Sequence, residues 1–180
     1  MKTVQPIRDL KKLEEMKRVL ADHSKRNAFL FVMGINVGLR ISDLLPLQVK
    51  QVKDKTHIII TEKKISKSKR FKINNELRKH IAAYVAGMDD EDYLFKSLRR
   101  DKPIGRCHAW TILNDAAMLV GLSEIGTHTL RKTFGYHFYQ KKKDVALLQE
   151  IFNHSSPSIT LRYIGINQDL MDEAIDDFSL

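Results

Sequence analysis

One cysteine, Cys107, is all the thiol chemistry that this chain of 180 residues possesses. Neither a disulfide framework nor a cysteine-based zinc site can be assembled from it within one chain. Long hydrophobic runs are missing as well. The most apolar stretch, Ala28 to Val37, falls far short of the roughly 20 residues that a bilayer-spanning helix needs. The N-terminal MKTVQPIRDLKKLEEMKRVL lacks the apolar stretch of a secretory signal. No low-complexity tract, internal repeat, Walker loop or acidic metal cluster interrupts the sequence. The expectation is a soluble cytoplasmic protein with no membrane association.

What the chain has in excess is positive charge. Thirty-one Lys and Arg against 22 Asp and Glu give a formal net charge of +9. That points to a polyanionic partner, with nucleic acid first and an anionic membrane surface second. The plain alternative is a basic protein with no polyanion partner. A hydrophobic content of 43% supports a real core, and the length suits one domain, with or without a short tail.

Hydrophobic spacing divides the chain into elements. Leu10, Leu13, Met16 and Leu20 recur at helical spacing among charges, which predicts an amphipathic helix. Asn27 to Val37 reads as a buried helix stopped near Gly38, and Ser42 opens a short helical turn through Leu45, limited by Pro46. The β-branched run Ile58 to Ile60, and the alternation of Phe71 and Ile73 with polar residues, predict a hairpin around a basic turn. A third short strand is expected near Val49 to Val52. Helical spacing returns in Leu77, Ile81, Tyr84 and Val85, and again in Ile112, Ala116 and Leu119. Thr127 is placed to cap a helix carrying His128 and Arg131, Asp144 a helix from Val145 to Phe152, and Ser156 with Pro157 one leading to Tyr163. An acidic amphipathic helix with Leu170, Met171, Ala174, Ile175 and Phe178 closes the chain. The fold class is mainly α with a small antiparallel β-sheet.

Five residues carry reactive side chains in contexts worth attention. His128 and Arg131, in THTLRKTF, lie three apart on one helix face, in a first turn whose free N–H groups favour an anion. Taken alone, that pair is a weak motif and reads first as a capping histidine and a solvated arginine. Arg40, in the apolar context VGLRISDLL, should be partly buried, with Asp43 as the obvious orienting partner. His154 and Tyr163 bracket a short capped helix, in NHSSPSITLRY. A helical tyrosine is ordinarily a core residue, and a phenol with a pKa of about 10 needs nearby cations to react at neutral pH. The hairpin turn adds Lys63, Lys64, Lys67, Lys69 and Arg70, most of them suited to a solvated face.

In order and local context these residues resemble the catalytic domain of the tyrosine recombinase, or phage integrase, family. GLRISDLL is similar to the family's first arginine motif, THTLRKTF to its HxxR motif, and NHSSPSITLRY to its final histidine and nucleophilic tyrosine. The resemblance runs from about Leu10 to the end and implies the tyrosine recombinase catalytic-domain fold. It implies that Tyr163 attacks the scissile phosphate to form a 3′-phosphotyrosyl bond, while Arg40 and Arg131 hold the non-bridging oxygens. His128 would share in proton transfer from the tyrosine, and His154 would hydrogen-bond the phosphate. Lys64 matches the family's turn lysine, the general acid for the leaving 5′-oxygen. Ile65 stands where that turn has threonine, so Lys63 and Lys67 stay open. The family needs no metal and no other cofactor.

The implied partner is double-stranded DNA, bound by a homo-tetramer that is a monomer or weak oligomer without DNA. Only about 39 residues precede Arg40, so residues 1–180 read as a single catalytic domain without core-binding or arm-binding domains, whether as a fragment or a naturally short protein. The tail, residues 168–180, resembles segments that dock on a neighbouring subunit, with packing on its own domain as the alternative. Two other activities fit the same residues: a type IB topoisomerase-like nicking-closing enzyme, and an inactive recombinase-derived DNA-binding accessory protein.

Overall fold

Helix α1 (Leu10–His23) starts where the Asp9 carboxylate accepts from the Lys11 N–H, and it buries Leu13, Met16 and Leu20. It packs on α2 (Lys25–Val37), which is buried along Phe29 to Gly34. Residues 4–61 and 68–167 are described in this computed structural model, together with residues 172, 175, 176 and 178. Gly38 ends α2 in the left-handed region at φ 72°, where a Cβ would also strike the Phe134 ring at 2.5 Å. Only glycine permits this sharp exit, and the exit delivers Arg40 to the one-turn helix α3 (Ile41–Leu44).

The expected third strand is not formed. Val49–Gln51 is a 3₁₀ turn, closed by reciprocal hydrogen bonds between Gln48 and Gln51. Its backbone is engaged elsewhere: the Val49 and Lys50 N–H groups donate to the carbonyls of Asp92 and Asp90, and Gln48 bridges Tyr93. Apolar alternation at Val49 and Val52 therefore reflects a buried turn rather than a pleat. The sheet among the described residues has two antiparallel strands, β1 (His57–Thr61) and β2 (Ser68–Lys72), with Ile58 opposite Phe71. Lys63, Lys64 and Lys67 belong to the tip between them and lie outside the described residues.

Helices α4 (Asn75–Val85) and α5 (Arg106–Leu119) complete the main core, which Leu130 joins from α6 (Thr127–Lys142). The other side of α6 carries a second, smaller apolar cluster. There Leu148 and Phe152 of α7 (Val145–Phe152) meet Ile164 of α8 (Pro157–Ile164), with Phe134, Phe138 and Tyr163 packed against them. Gly135 makes the close approach possible, because a Cβ there would lie 2.7 Å from both Phe152 and Ile164. Helix α6 is thus sandwiched between the large core and the unit bearing Tyr163. The caps at Asp144 and Ser156 form as expected, each side chain accepting from the N–H three residues on. The cap expected at Thr127 does not. Gly126 takes that place in extended backbone, and its N–H donates to Thr129 Oγ1 inside the first turn.

Candidate active site

Arg131 is the hub of the site. It is 4% exposed, and its guanidinium donates through Nη1 to the Gly38 carbonyl and through Nη2 to the Phe152 carbonyl at 2.8 Å. It also lies over the Phe152 ring, 4.2 Å from the centroid. One side chain therefore ties the loop that leads to Arg40 to the end of α7 that leads to His154. Both carbonyls are neutral, and among the described residues no carboxylate forms an ion pair with the guanidinium, while the Tyr163 hydroxyl is a further hydrogen-bond partner. Burial lowers the guanidinium pKa to about 10, with Arg40 adding to the effect while Tyr163 and Asp43 oppose it. Arg131 is still a cation at neutral pH, held in a site of low polarity where an incoming anion would be strongly attracted. The solvated arginine that HxxR alone allows is thereby replaced by a buried one.

Arg40 departs from expectation in the opposite sense. It is exposed, and among the described residues no ion pair joins it to Asp43, whose carboxylate instead accepts from Ser42 Oγ at 3.4 Å. The reason is local. Arg40 has extended backbone between Leu39 and Ile41, which both turn into the core, so its own side chain faces outward. It faces a cleft of about 970 Å³ whose walls also include Arg131, Asp43, Lys69 and Asn153. Lys69, one of the hairpin lysines, reaches from β2 to donate to the Glu150 carbonyl at the end of α7. The hairpin thus closes the cleft opposite the two arginines.

Tyr163, His128 and His154 gather beside this cleft and do not line it. The Tyr163 hydroxyl lies 3.3 Å from His128 Nδ1, the geometry of a phenol donating to an imidazole that acts as its base. The His154 ring meets the Tyr163 ring edge-on, 5.2 Å between centroids. His154 Nδ1 lies 3.0 Å from the Oγ1 of Thr160, a fully buried residue that also reaches the Ser156 carbonyl. With the hydroxyl proton given to the Ser156 carbonyl, Oγ1 accepts from His154 Nδ1–H, which leaves Nε2 as the acceptor nitrogen of the neutral ring. Thr160 gave no signal in the sequence, because its role depends on a neighbour six residues away in a cap-and-helix geometry.

The electrostatics are set by burial first. Burial raises the Tyr163 pKa above the usual phenol value, and Arg131 and Arg40 offset only part of the rise. The expected activation of the phenol by gathered arginines is therefore outweighed in the free protein. Burial lowers the pKa of His128, with Lys132, Arg131 and Arg40 adding to it, and that of His154, with Arg131, Arg40 and Lys69 adding. Both imidazoles are neutral at neutral pH and able to accept a proton. Because their folded pKa values are depressed, they support the folded state above the ordinary histidine range, and that support is lost as pH falls through the lowered values. Among the described residues no three His, Cys, Asp or Glu side chains gather in a metal-binding arrangement, and no helix is long and apolar enough to cross a membrane.

Sequence and fold comparisons bear on the family and the fold. The model of the phage integrase family matches residues 9–169. The "Probable integrase/recombinase YoeC" of Bacillus subtilis is 57% identical over 169 residues, covering 94% of this chain and 93% of that protein. Tyrosine recombinase XerA of Pyrococcus horikoshii is 26% identical over 93% of this chain, which spans only 60% of XerA. In fold, the chain is similar to the crystal structure of XerA recombinase, with a TM-score of 0.76 at 20% identity over 99% of this chain and 66% of that one. It is also similar to the catalytic domain of bacteriophage HP1 integrase, with a TM-score of 0.68 at 19% identity, covering 97% of this chain and 95% of that one.

Proposed function

The chain belongs to the phage integrase family of tyrosine recombinases, and from that premise we propose that it cleaves and rejoins DNA strands through a 3′-phosphotyrosyl intermediate. The observation that carries this reading is the pairing of the Tyr163 hydroxyl with His128 Nδ1, next to a buried arginine that among the described residues forms no ion pair with a carboxylate. In the step proposed, the Tyr163 proton passes to His128 as the phenolic oxygen attacks phosphorus and the P–O5′ bond breaks. Arg131 and Arg40 hold the two non-bridging oxygens, where charge grows in the transition state. His154 hydrogen-bonds the same phosphate through Nε2 when that nitrogen takes up a proton. Rejoining reverses the step, so the phosphotyrosyl bond keeps the energy of the broken one. The test is capture of an SDS-resistant adduct on a nicked duplex that traps the cleaved strand. Its absence would favour a DNA-binding accessory protein, and relaxation of supercoiled plasmid without site preference a nicking-closing enzyme.

Lys64 is proposed as the general acid for the leaving 5′-oxygen; it lies outside the described residues, and Lys69 on the adjoining strand supports a hairpin directed at the cleft. Lys64→Ala is expected to slow cleavage of a normal phosphodiester by about 10²-fold or more. A 5′-bridging phosphorothiolate, whose sulfur leaves without protonation, should recover most of that loss. Equal defects on both substrates would remove Lys64 from the role, and the same comparison on Lys63 and Lys67 assigns the register.

The partner proposed is double-stranded DNA, in the cytoplasm, and the assembly a homo-tetramer formed on it. Residues 168–180 are proposed to dock on a neighbouring subunit. Most of them lie outside the described residues, but Ile175 and Phe178 are 70% and 65% exposed, which supports a surface left for another chain to cover. Deleting residues 168–180 should weaken DNA-dependent assembly while leaving the thermal midpoint of the monomer nearly unchanged. A deleted protein that no longer folds would place the tail in its own core.

A further inference from the structure

Lys132 has no part in the reaction outlined above, yet it is buried beside the nucleophile. It is 7% exposed, its Nζ donates to the Val4 carbonyl at 2.8 Å, and the same nitrogen lies 5.2 Å from the centre of the Tyr163 ring. It stands one helical turn after His128 on α6, on the same face. An ammonium placed here loses most of its water, and among the described residues its one side-chain hydrogen bond is to a neutral carbonyl. A methionine or leucine would fill the space at less cost. The Val4 carbonyl is itself held in place by the residues that follow it: the Ile7 N–H donates to Thr133 Oγ1, and His137 Nε2 donates to the Ile7 carbonyl, both at 2.9 Å. The N-terminal segment is thus laced to α6 on either side of Lys132.

We propose that Lys132 is a positioning residue for the nucleophilic step: anchored by Val4, it sets a fixed positive charge against the Tyr163 ring and one turn from His128, holding the ring in place and repelling a second proton from the imidazole. The proposal rests on the recombinase reading and deepens it. A cation on a ring face is drawn more strongly to a phenolate than to a phenol, because the ionised ring carries more negative charge. The cation therefore favours the reactive form of Tyr163. Three cations act on the imidazole, Lys132 and Arg131 from α6 and Arg40 from the segment before α3, while Tyr163 faces it from α8. They do not act alike once DNA is bound. Arg40 and Arg131 line the cleft and would pair with a phosphate there, whereas the Lys132 ammonium is held at the Val4 carbonyl.

Single-turnover adduct formation on the nicked duplex, followed against pH, tests this. The rate rises with pH as His128 loses its proton, so taking away a neighbouring cation raises the His128 pKa and moves that acid limb to higher pH. Lys132→Gln keeps a donor for the Val4 carbonyl and loses the charge, and Lys132→Met loses both. Each is expected to lower the plateau rate roughly tenfold and to shift the acid limb upward, while Lys132→Arg returns the limb to its wild-type position. A purely structural lysine would lower the rate and leave the limb in place. A wild-type limb in either neutral variant, with a folded protein by thermal melting, overturns the proposal, and if one variant fails to fold the other decides. Failure of the underlying reading looks different: wild-type protein without an adduct, or an adduct that survives Tyr163→Phe.

Discussion

Incubated with a nicked duplex that traps the cleaved strand, Tyr163→Phe is expected to give no SDS-resistant protein–DNA band, while wild-type protein accumulates one. The substitution removes a single oxygen, which lies 3.3 Å from His128 Nδ1 and also hydrogen-bonds Arg131. Losing each such hydrogen bond costs about 1 kcal/mol, and the ring keeps its packing against Phe152 and His154. Fold and DNA affinity should therefore survive while chemistry stops, since phenylalanine has no atom to attack phosphorus. Two other tyrosines on α6 serve as controls. Tyr136 lies beneath Arg8 and Tyr139 beneath Lys143, so their rings are engaged elsewhere, and phenylalanine at either position should leave the adduct intact. An adduct formed by the Tyr163 variant would move the nucleophile to another residue.

Arg131→Met is expected to lose both stability and activity, by different routes. Buried carbonyls of Gly38 and Phe152 would lose their donors, and each unpaired carbonyl costs about 1–3 kcal/mol. Part of that is returned because a buried cation no longer has to be kept from water, so a net loss of about 1–3 kcal/mol is expected. For a chain of this size, that is a fall of roughly 2–12 °C in the thermal midpoint. Cleavage should fall further, by about 10²–10³-fold or more, because a preorganised cation at a developing oxyanion is removed. Arg131→Lys separates the two effects. It keeps the charge, but a single ammonium on a flexible stem cannot reproduce the fork that spans two carbonyls. The lysine variant should remain cationic and still cleave poorly. Cleavage by folded Arg131→Met within threefold of wild type would remove Arg131 from the phosphate clamp.

Much of this site was legible in the linear chain. HxxR, the nine-residue step from His154 to Tyr163 and the capped starts at Asp144 and Ser156 are local patterns, readable because caps and helical faces depend on residues three or four apart. Local pattern misled where distant backbone intervened. Val49 to Val52 alternates like a strand, but its N–H groups are used by Asp90 and Asp92, some forty residues on. Arg40 sits among apolar neighbours and looks buried, yet alternation along extended backbone turns those neighbours inward and the arginine outward. Lys132 carried no signal at all, because its carbonyl partner is 128 residues away in sequence.

Sequence by itself determined the class of chemistry: which side chains are present, on which helices they ride, and a net charge of +9 that suits a polyanion. Tertiary structure alone decided their electrostatic state. Packing α7 and α8 onto α6 through Gly135 buries Arg131 and partly buries Tyr163, and that burial raises the phenol and lowers both histidines. The physical reason is one of range. Helix periodicity and capping act within a few residues, whereas desolvation depends on every atom that displaces water around a group, and most of those atoms come from elements far along the chain.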